Sequence, residues 1–176
     1  MILIPAWDET GALRPVEKLE VHRRGLRHPA VSIFVMREGA TLLQRRAAGK
    51  YHCPGLWANA ACTHPHWGEE TAPAAARRLG EELGLGGLAL RRAAMVEYRA
   101  DVGGGLTEHE VVDVFLAAAP EGAEPRPDPE EVSEIRWADL RELRDEAARH
   151  PERFAPWLRI YLAEHMDRIF GVLDRA

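Results

Sequence analysis

Two carboxylates stand two residues apart, Glu108 and Glu110, flanking His109 just ahead of the apolar run Val111, Val112, Val114 and Phe115. On a strand, residues two apart share a face, so both acids point one way and His109 the other. Like charges at that spacing repel unless a cation or a shared proton compensates them. A solvated edge strand is the bland alternative, but the apolar run directs this strand into a core. Arg78 and Glu82 are four apart, one turn from each other on one helix face. Alone they read as a surface ion pair, yet a fixed cation beside a carboxylate also suits a Mg²⁺-bound phosphate. Five histidines crowd the stretch from residue 22 to residue 66: His22, His28, His52, His64 and His66. Imidazoles with carboxylates make a mixed site suited to Mn²⁺ or Zn²⁺. No CxxC or HxxxH arrangement selects the ligands, and one of His64 and His66 is expected to make an ordinary polar contact. Cys53 reads as a small buried residue. Cys62 falls between a strand and a helix, in a loop of the kind that presents reactive groups, although an unassisted cysteine is more often structural.

The periodicity names the elements that must position these side chains. Ile2 to Trp7 and Leu13 to Val16 flank Asp8-Glu9-Thr10-Gly11 as a hairpin. Val31 to Met36 and Thr41 to Gln44 flank a second turn at Glu38-Gly39. A helix begins near Thr71 as its N-cap, tolerates Pro73 in its first turn, and stops at Gly84. Met95 to Asp101 and Leu106 to Ala117 are strands joined by Gly103-Gly104-Gly105. Glu134 to Trp137 is a short strand and Asp139 to Arg149 a helix. From Ala155 onward, Trp157, Ile160, Tyr161, His165, Met166 and Ile169 recur near helical spacing. The acidic, proline-rich stretch from Glu121 to Glu130 is a surface loop. Strands, helix, strands, then helices suit an α/β sandwich around a mixed sheet.

Composition narrows the function classes. At 176 residues the chain buries a proper core as a single domain. Apolar content of 46% and charged content of 29% are those of a soluble globular protein. A net charge of −5 argues against nucleic acid, whose phosphates want a basic face, but leaves room for a small phosphorylated molecule held by a few local cations. Two cysteines without framework spacing indicate free thiols and a reducing compartment. No apolar run approaches a membrane span, and the start has no basic stretch of a signal peptide. The expectation is a cytoplasmic monomer with no membrane partner.

The run from Trp57 to Pro65, then Gly68-Glu69 and Ala76 to Leu85, is similar to a Nudix box, the helix that grips metal on a diphosphate. Thr63 stands at the usual opening glycine, and Arg78 stands where a hydrolase has glutamate. With Cys62 and His64 just upstream, the chain from about Lys18 to Trp157 resembles the type 1 isopentenyl-diphosphate isomerases. The resemblance implies a Nudix-type α-β-α sandwich around a mixed β-sheet, one domain over 1–176 with its core over 29–143. It further implies conversion of isopentenyl diphosphate to dimethylallyl diphosphate by protonation and deprotonation. By the same resemblance His22, His28, His64, Glu108 and Glu110 hold Mn²⁺ or Zn²⁺. Glu82 and the backbone carbonyl of Cys62 hold Mg²⁺ with the diphosphate. Lys18, Arg46, Lys50 and Arg78 contact the diphosphate, and Trp157 faces the substrate. Glu110, backed by Tyr98, corresponds to the proton donor and Cys62, as thiolate, to the acceptor. Ala58 and Ala61 depart from the family pattern without removing a group the chemistry needs.

Overall fold

A computed structural model of the chain describes residues 1–171. Its first hairpin pairs β1 (Leu3–Trp7) with β2 (Leu13–Glu17), Trp7 opposite Leu13. Asp8 closes the turn by accepting from the backbone N–H groups of Thr10 and Ala12. A seven-residue helix, α1 (Lys18–Arg24), follows with no linker. Such a length is marginal alone, and the periodicity does not announce it. Glu17 caps it by accepting from Glu20 N, Gly25 ends it in the left-handed region, and Val21 packs on Ile4 and Ala6.

The main sheet has seven strands. Its centre is β3 (Arg27–Arg37), which turns at Glu38-Gly39 into β4 (Ala40–Arg46); both turn residues have positive φ, as a tight two-residue hairpin requires. Two short strands then return, β5 (Trp57–Asn59) against β4 and β6 (Ala61–Thr63) against β3. After α2 (Thr71–Leu83), β7 (Leu90–Gly103) and β8 (Leu106–Ala118) form a long hairpin through Gly104-Gly105. β8 runs parallel to β3 while the other pairs are antiparallel, so the sheet is mixed. β9 (Val132–Asp139) lies on the far edge of β4, and α3 (Leu140–Arg149) begins at Asp139, whose carboxylate accepts from Arg141 N and Glu142 N.

Strand alternation sorts the core into two layers. Val31, Ile33 and Val35 of β3 meet Ala75, Leu79 and Leu83 of α2. Ala30 and Phe34 face the other way, with Val96, Val112 and Val114, onto Leu143 of α3 and Leu158 and Leu162 of α4 (Pro156–Glu164). The result is the expected α-β-α sandwich.

Three expectations need correction. Cys62 lies in β6, paired with Ser32, rather than in a loop. The N-cap of α2 is Glu70, not Thr71; the Thr71 hydroxyl instead donates to Asp113 Oδ2 at 2.8 Å. The last helical stretch breaks at His165 into α4 and α5 (Met166–Phe170).

Candidate functional site

The site lies on the α4 side of the sheet and begins with a row of side chains across three strands. His28 on β3 is opposite Glu110 on β8, and Glu110 is opposite Tyr98 on β7. All three are buried. The Tyr98 hydroxyl lies 2.8 Å from Glu108 Oε2 and 2.8 Å from Glu110 Oε2, bridging the two carboxylates that share its face. His109 points away to Glu97, as the alternation requires.

Four residues from separate elements converge here. α1 carries Lys18 and, one turn later, His22; His64 follows β6 directly. His22, His28, His64 and Glu110 each offer a ligand atom, all within 4.8 Å of one another. The imidazole Nδ1 atoms of His22 and His28 each lie 2.7 Å from a backbone carbonyl, Lys18 O and Leu26 O. Those bonds place the ring protons on Nδ1 and leave both Nε2 lone pairs buried without a hydrogen-bond partner. Carbonyl-oriented imidazoles with free inward lone pairs are the arrangement of metal-ligating histidines, so the donor set fits a divalent ion. Glu108 falls in a different group, with His22 and His52. Of the His64/His66 pair, His66 is the one making an ordinary polar contact: it is exposed, and its backbone N–H donates to Glu69.

Burial separates the charge states of the two carboxyls. Desolvation and the negative charge of Glu110 push Glu108 well above the usual carboxylate range. Burial works the same way on Glu110, but the surrounding imidazoles outweigh it, His64 Nε2 donating to its Oε1 at 2.8 Å, and hold this group well below that range. One proton thus serves the pair on the Glu108 side, the outcome expected of like charges forced together.

Cys62 stands across β3 from this row. Ser32 on β3 pairs with Cys62 on one edge and Val114 of β8 on the other, so sulfur and carboxylate flank the same strand and line one cleft. The sulfur lies 3.2 Å from Ser32 Oγ, itself 3.0 Å from the Tyr161 hydroxyl, and donates to Asn59 Oδ1 at 3.2 Å. Burial pushes the thiol up to about 12. The expected thiolate is therefore a protonated thiol in the ligand-free protein.

Cations line the mouth of the cleft: Lys18 from α1, Arg46 and Lys50 around the end of β4, and Arg78 from α2. Burial, then the charges of Arg78, Lys50 and Arg46, bring the Lys18 ammonium down to about 8. Arg78 binds Glu82 Oε1 at 2.5 Å, as their helical spacing predicts, and Glu131 Oε2 at 2.6 Å. Lys50 shares that same Glu131 oxygen. Glu82 is buried and accepts from Gln44 Nε2 at 2.5 Å. Buried Trp157, also in the cleft lining, donates from Nε1 to Asn59 Oδ1 at 3.2 Å, with the Arg46 guanidinium 5.4 Å from its ring. The residues that the resemblance assigns to the site thus lie in or beside one cleft, while His66 and His109 do not. Gln44, Glu131 and the orienting role of Asn59 were missed. Asn59 stood within the quoted motif; Gln44 and Glu131 carry no local signal, their partners being 38 and 53 residues away.

The NUDIX domain family matches residues 26–158. An isopentenyl-diphosphate Delta-isomerase of Cereibacter sphaeroides is 67% identical over 171 residues, covering 97% of this chain and 96% of its own. One of Rhodobacter capsulatus is 61% identical over 168 residues, covering 96% and 95%. Among solved structures, a Deinococcus radiodurans protein superposes with a TM-score of 0.73 at 17% identity, over 91% of this chain and 96% of its own. A MutT NUDIX hydrolase of Burkholderia pseudomallei reaches 0.61 at 26% identity, over 79% and 98%. The fold is the Nudix fold. Among the described residues no helix is long and apolar enough to cross a membrane.

Proposed function

From a chain that belongs to the Nudix family and, within it, to the isopentenyl-diphosphate Delta-isomerases, we infer an enzyme that converts isopentenyl diphosphate to dimethylallyl diphosphate. One observation carries the reading: Cys62 and the Glu110/Tyr98 pair flank β3 on opposite edges of a cleft whose mouth holds Lys18, Arg46, Lys50 and Arg78. An unactivated alkene needs a proton added at its terminal carbon and another removed from the carbon on the far side of the resulting tertiary cation. Two groups on opposite sides of a five-carbon chain meet that need. The cations hold the diphosphate, so binding energy remote from the alkene orients it between the two groups. Trp157 offers an indole face to the cation, and the burial of Trp157, Tyr98 and Glu110 keeps out bulk water that would trap it.

Within this reading Glu110, backed by Tyr98, donates and Cys62 accepts; the donated proton is the one held by Glu108, passed through the Tyr98 hydroxyl that lies 2.8 Å from both carboxylates. The acceptor role requires the sulfur to lose its proton before turnover, and a hydrogen bond from the Ser32 hydroxyl, 3.2 Å away, would favour the thiolate once formed. The residues assigned to an inner Mn²⁺ or Zn²⁺ are His22, His28, His64, Glu108 and Glu110; those assigned to Mg²⁺ are Glu82 and the Cys62 carbonyl. Bound there, the ions would neutralise the diphosphate and fix the carboxyl that exchanges the proton. Lys18 and His22 precede the family match yet stand at the cleft, which supports an N-terminal extension that completes the site within one domain.

Purified protein incubated with isopentenyl diphosphate and Mg²⁺ should accumulate the rearranged diphosphate. Release of inorganic phosphate would instead mark a hydrolase, and no conversion would refute both. Cys62→Ala and Glu110→Gln should each lose nearly all turnover while still binding inorganic diphosphate.

A further inference from the structure

His52 is the buried histidine that this reading leaves without a task. It stands in the loop after β4, 7% exposed, with its Nδ1 shut away from solvent and without a hydrogen-bond partner. Its Nε2 lies 3.7 Å from Glu108 Oε1, and its ring stacks on His22 with centroids 6.0 Å apart and planes 23° from parallel. His22, His52 and Glu108 each offer a ligand atom within 4.8 Å of one another, the same spacing that unites His22, His28, His64 and Glu110. Ligands on opposite sides of an ion bonded at about 2.1 Å stand about 4.2 Å apart, so either group needs only small side-chain adjustments to close.

The two groups share His22. Its Nδ1 is committed to the Lys18 carbonyl, which leaves one lone pair, on Nε2, and one lone pair binds one ion. Two neighbouring ions cannot both use it. The groups can then be filled together only as two sides of one coordination sphere, with His28, His64 and Glu110 on one and His52 and Glu108 on the other. We propose that His52 is a ligand of the inner divalent ion, joining Glu108 to it and completing a set of four imidazoles and two carboxylates. Six donors make an octahedral set, which suits Mn²⁺ better than Zn²⁺ with its preference for four. The proposal rests on the isomerase reading only for the presence of an inner ion, and it narrows which ion that is.

The test uses metal-stripped protein and the metal alone. Mn²⁺ binding, followed by the magnetic resonance signal of the free ion, should weaken about 10-fold or more in His52→Phe. That substitution keeps a ring against His22 and Trp157 but removes both nitrogens. Zn²⁺ affinity should change less. Co²⁺ in the unaltered protein should show the weak visible absorption of a six-coordinate ion, and stronger five-coordinate bands in His52→Phe. His52→Gln, which restores an oxygen donor, should recover part of the Mn²⁺ affinity and serves as the test if His52→Phe does not fold. Mn²⁺ affinity and Co²⁺ spectra unchanged in a variant with a normal melting curve would overturn the proposal. No substrate enters these measurements, so that result would leave the isomerase reading standing, and absence of turnover would leave this one standing.

Discussion

Asn59→Leu is the substitution whose consequences the structure specifies most fully. Asn59 is fully buried, and four hydrogen bonds converge on its amide. Nδ2 donates to the carbonyls of Ile33 and Ala61 at 3.0 and 3.1 Å, tying β3 to β6. Oδ1 accepts from Cys62 Sγ and Trp157 Nε1, both at 3.2 Å. Leucine has nearly the same shape but offers no polar atom. Each bond contributes about 1 kcal/mol net, and a buried donor left unsatisfied, as the indole N–H would be, costs about 1–3 kcal/mol. Cys62 retains Ser32 as a partner, and some carbonyls relax toward other donors, so the expected loss is about 3–5 kcal/mol. For a domain of this size that lowers Tm by about 10 °C. Urea unfolding and calorimetry measure it. Turnover gives an independent readout: the thiol and the indole lose their common anchor while the cations at the mouth are untouched, so kcat should fall much more than KM rises. A stability loss below about 1 kcal/mol with kcat intact would refute the claim that this amide holds both side chains.

Arg78→Glu puts a carboxylate among Glu81, Glu82 and Glu131. It restores the hydrolase pattern on paper, yet affinity for Mg²⁺-diphosphate should fall about 100-fold or more, since a fixed cation beside a phosphate becomes an anion; calorimetry with inorganic diphosphate checks this, and unchanged affinity would remove Arg78 from the binding site. Away from the cleft, hydrogen bonds from Arg77 hold Glu69 down at about 2 against an ordinary 4.5. The folded pKa is depressed, so this contribution is complete above pH 4.5 and is lost as pH falls toward 2. Glu69→Gln should cost about 1 kcal/mol at neutral pH after allowance for solvent screening, and the difference in urea midpoint between the two proteins should shrink through that window. A difference independent of pH would show that the side chain acts by packing alone.

The parts of the molecule legible in its sequence are those set by local rules. Alternation put Glu108 and Glu110 on one face and His109 on the other because a strand leaves no other choice. Helical spacing paired Arg78 with Glu82, and Glu38-Gly39 and Gly104-Gly105 announced their hairpins through their tolerance of positive φ. Family resemblance extended this to residues far apart in the chain, and the cleft gathers them. Three features needed the tertiary structure. α1 is too short to declare itself and exists because Glu17 and Gly25 cap it and Val21 finds Ile4. β6, the strand that carries Cys62, is three residues long and stands only by pairing with β3. Which imidazoles face inward was undecided at Pro65, where His64 and His66 look alike; packing buries one beside Glu110 and leaves the other in solvent. The same holds for Asn59, whose partner Trp157 is 98 residues away. Local sequence determines which face a side chain takes on its own element, because that depends on backbone period alone. What the face meets depends on sheet register and on helices returning from distant parts of the chain, and only the folded structure decides that.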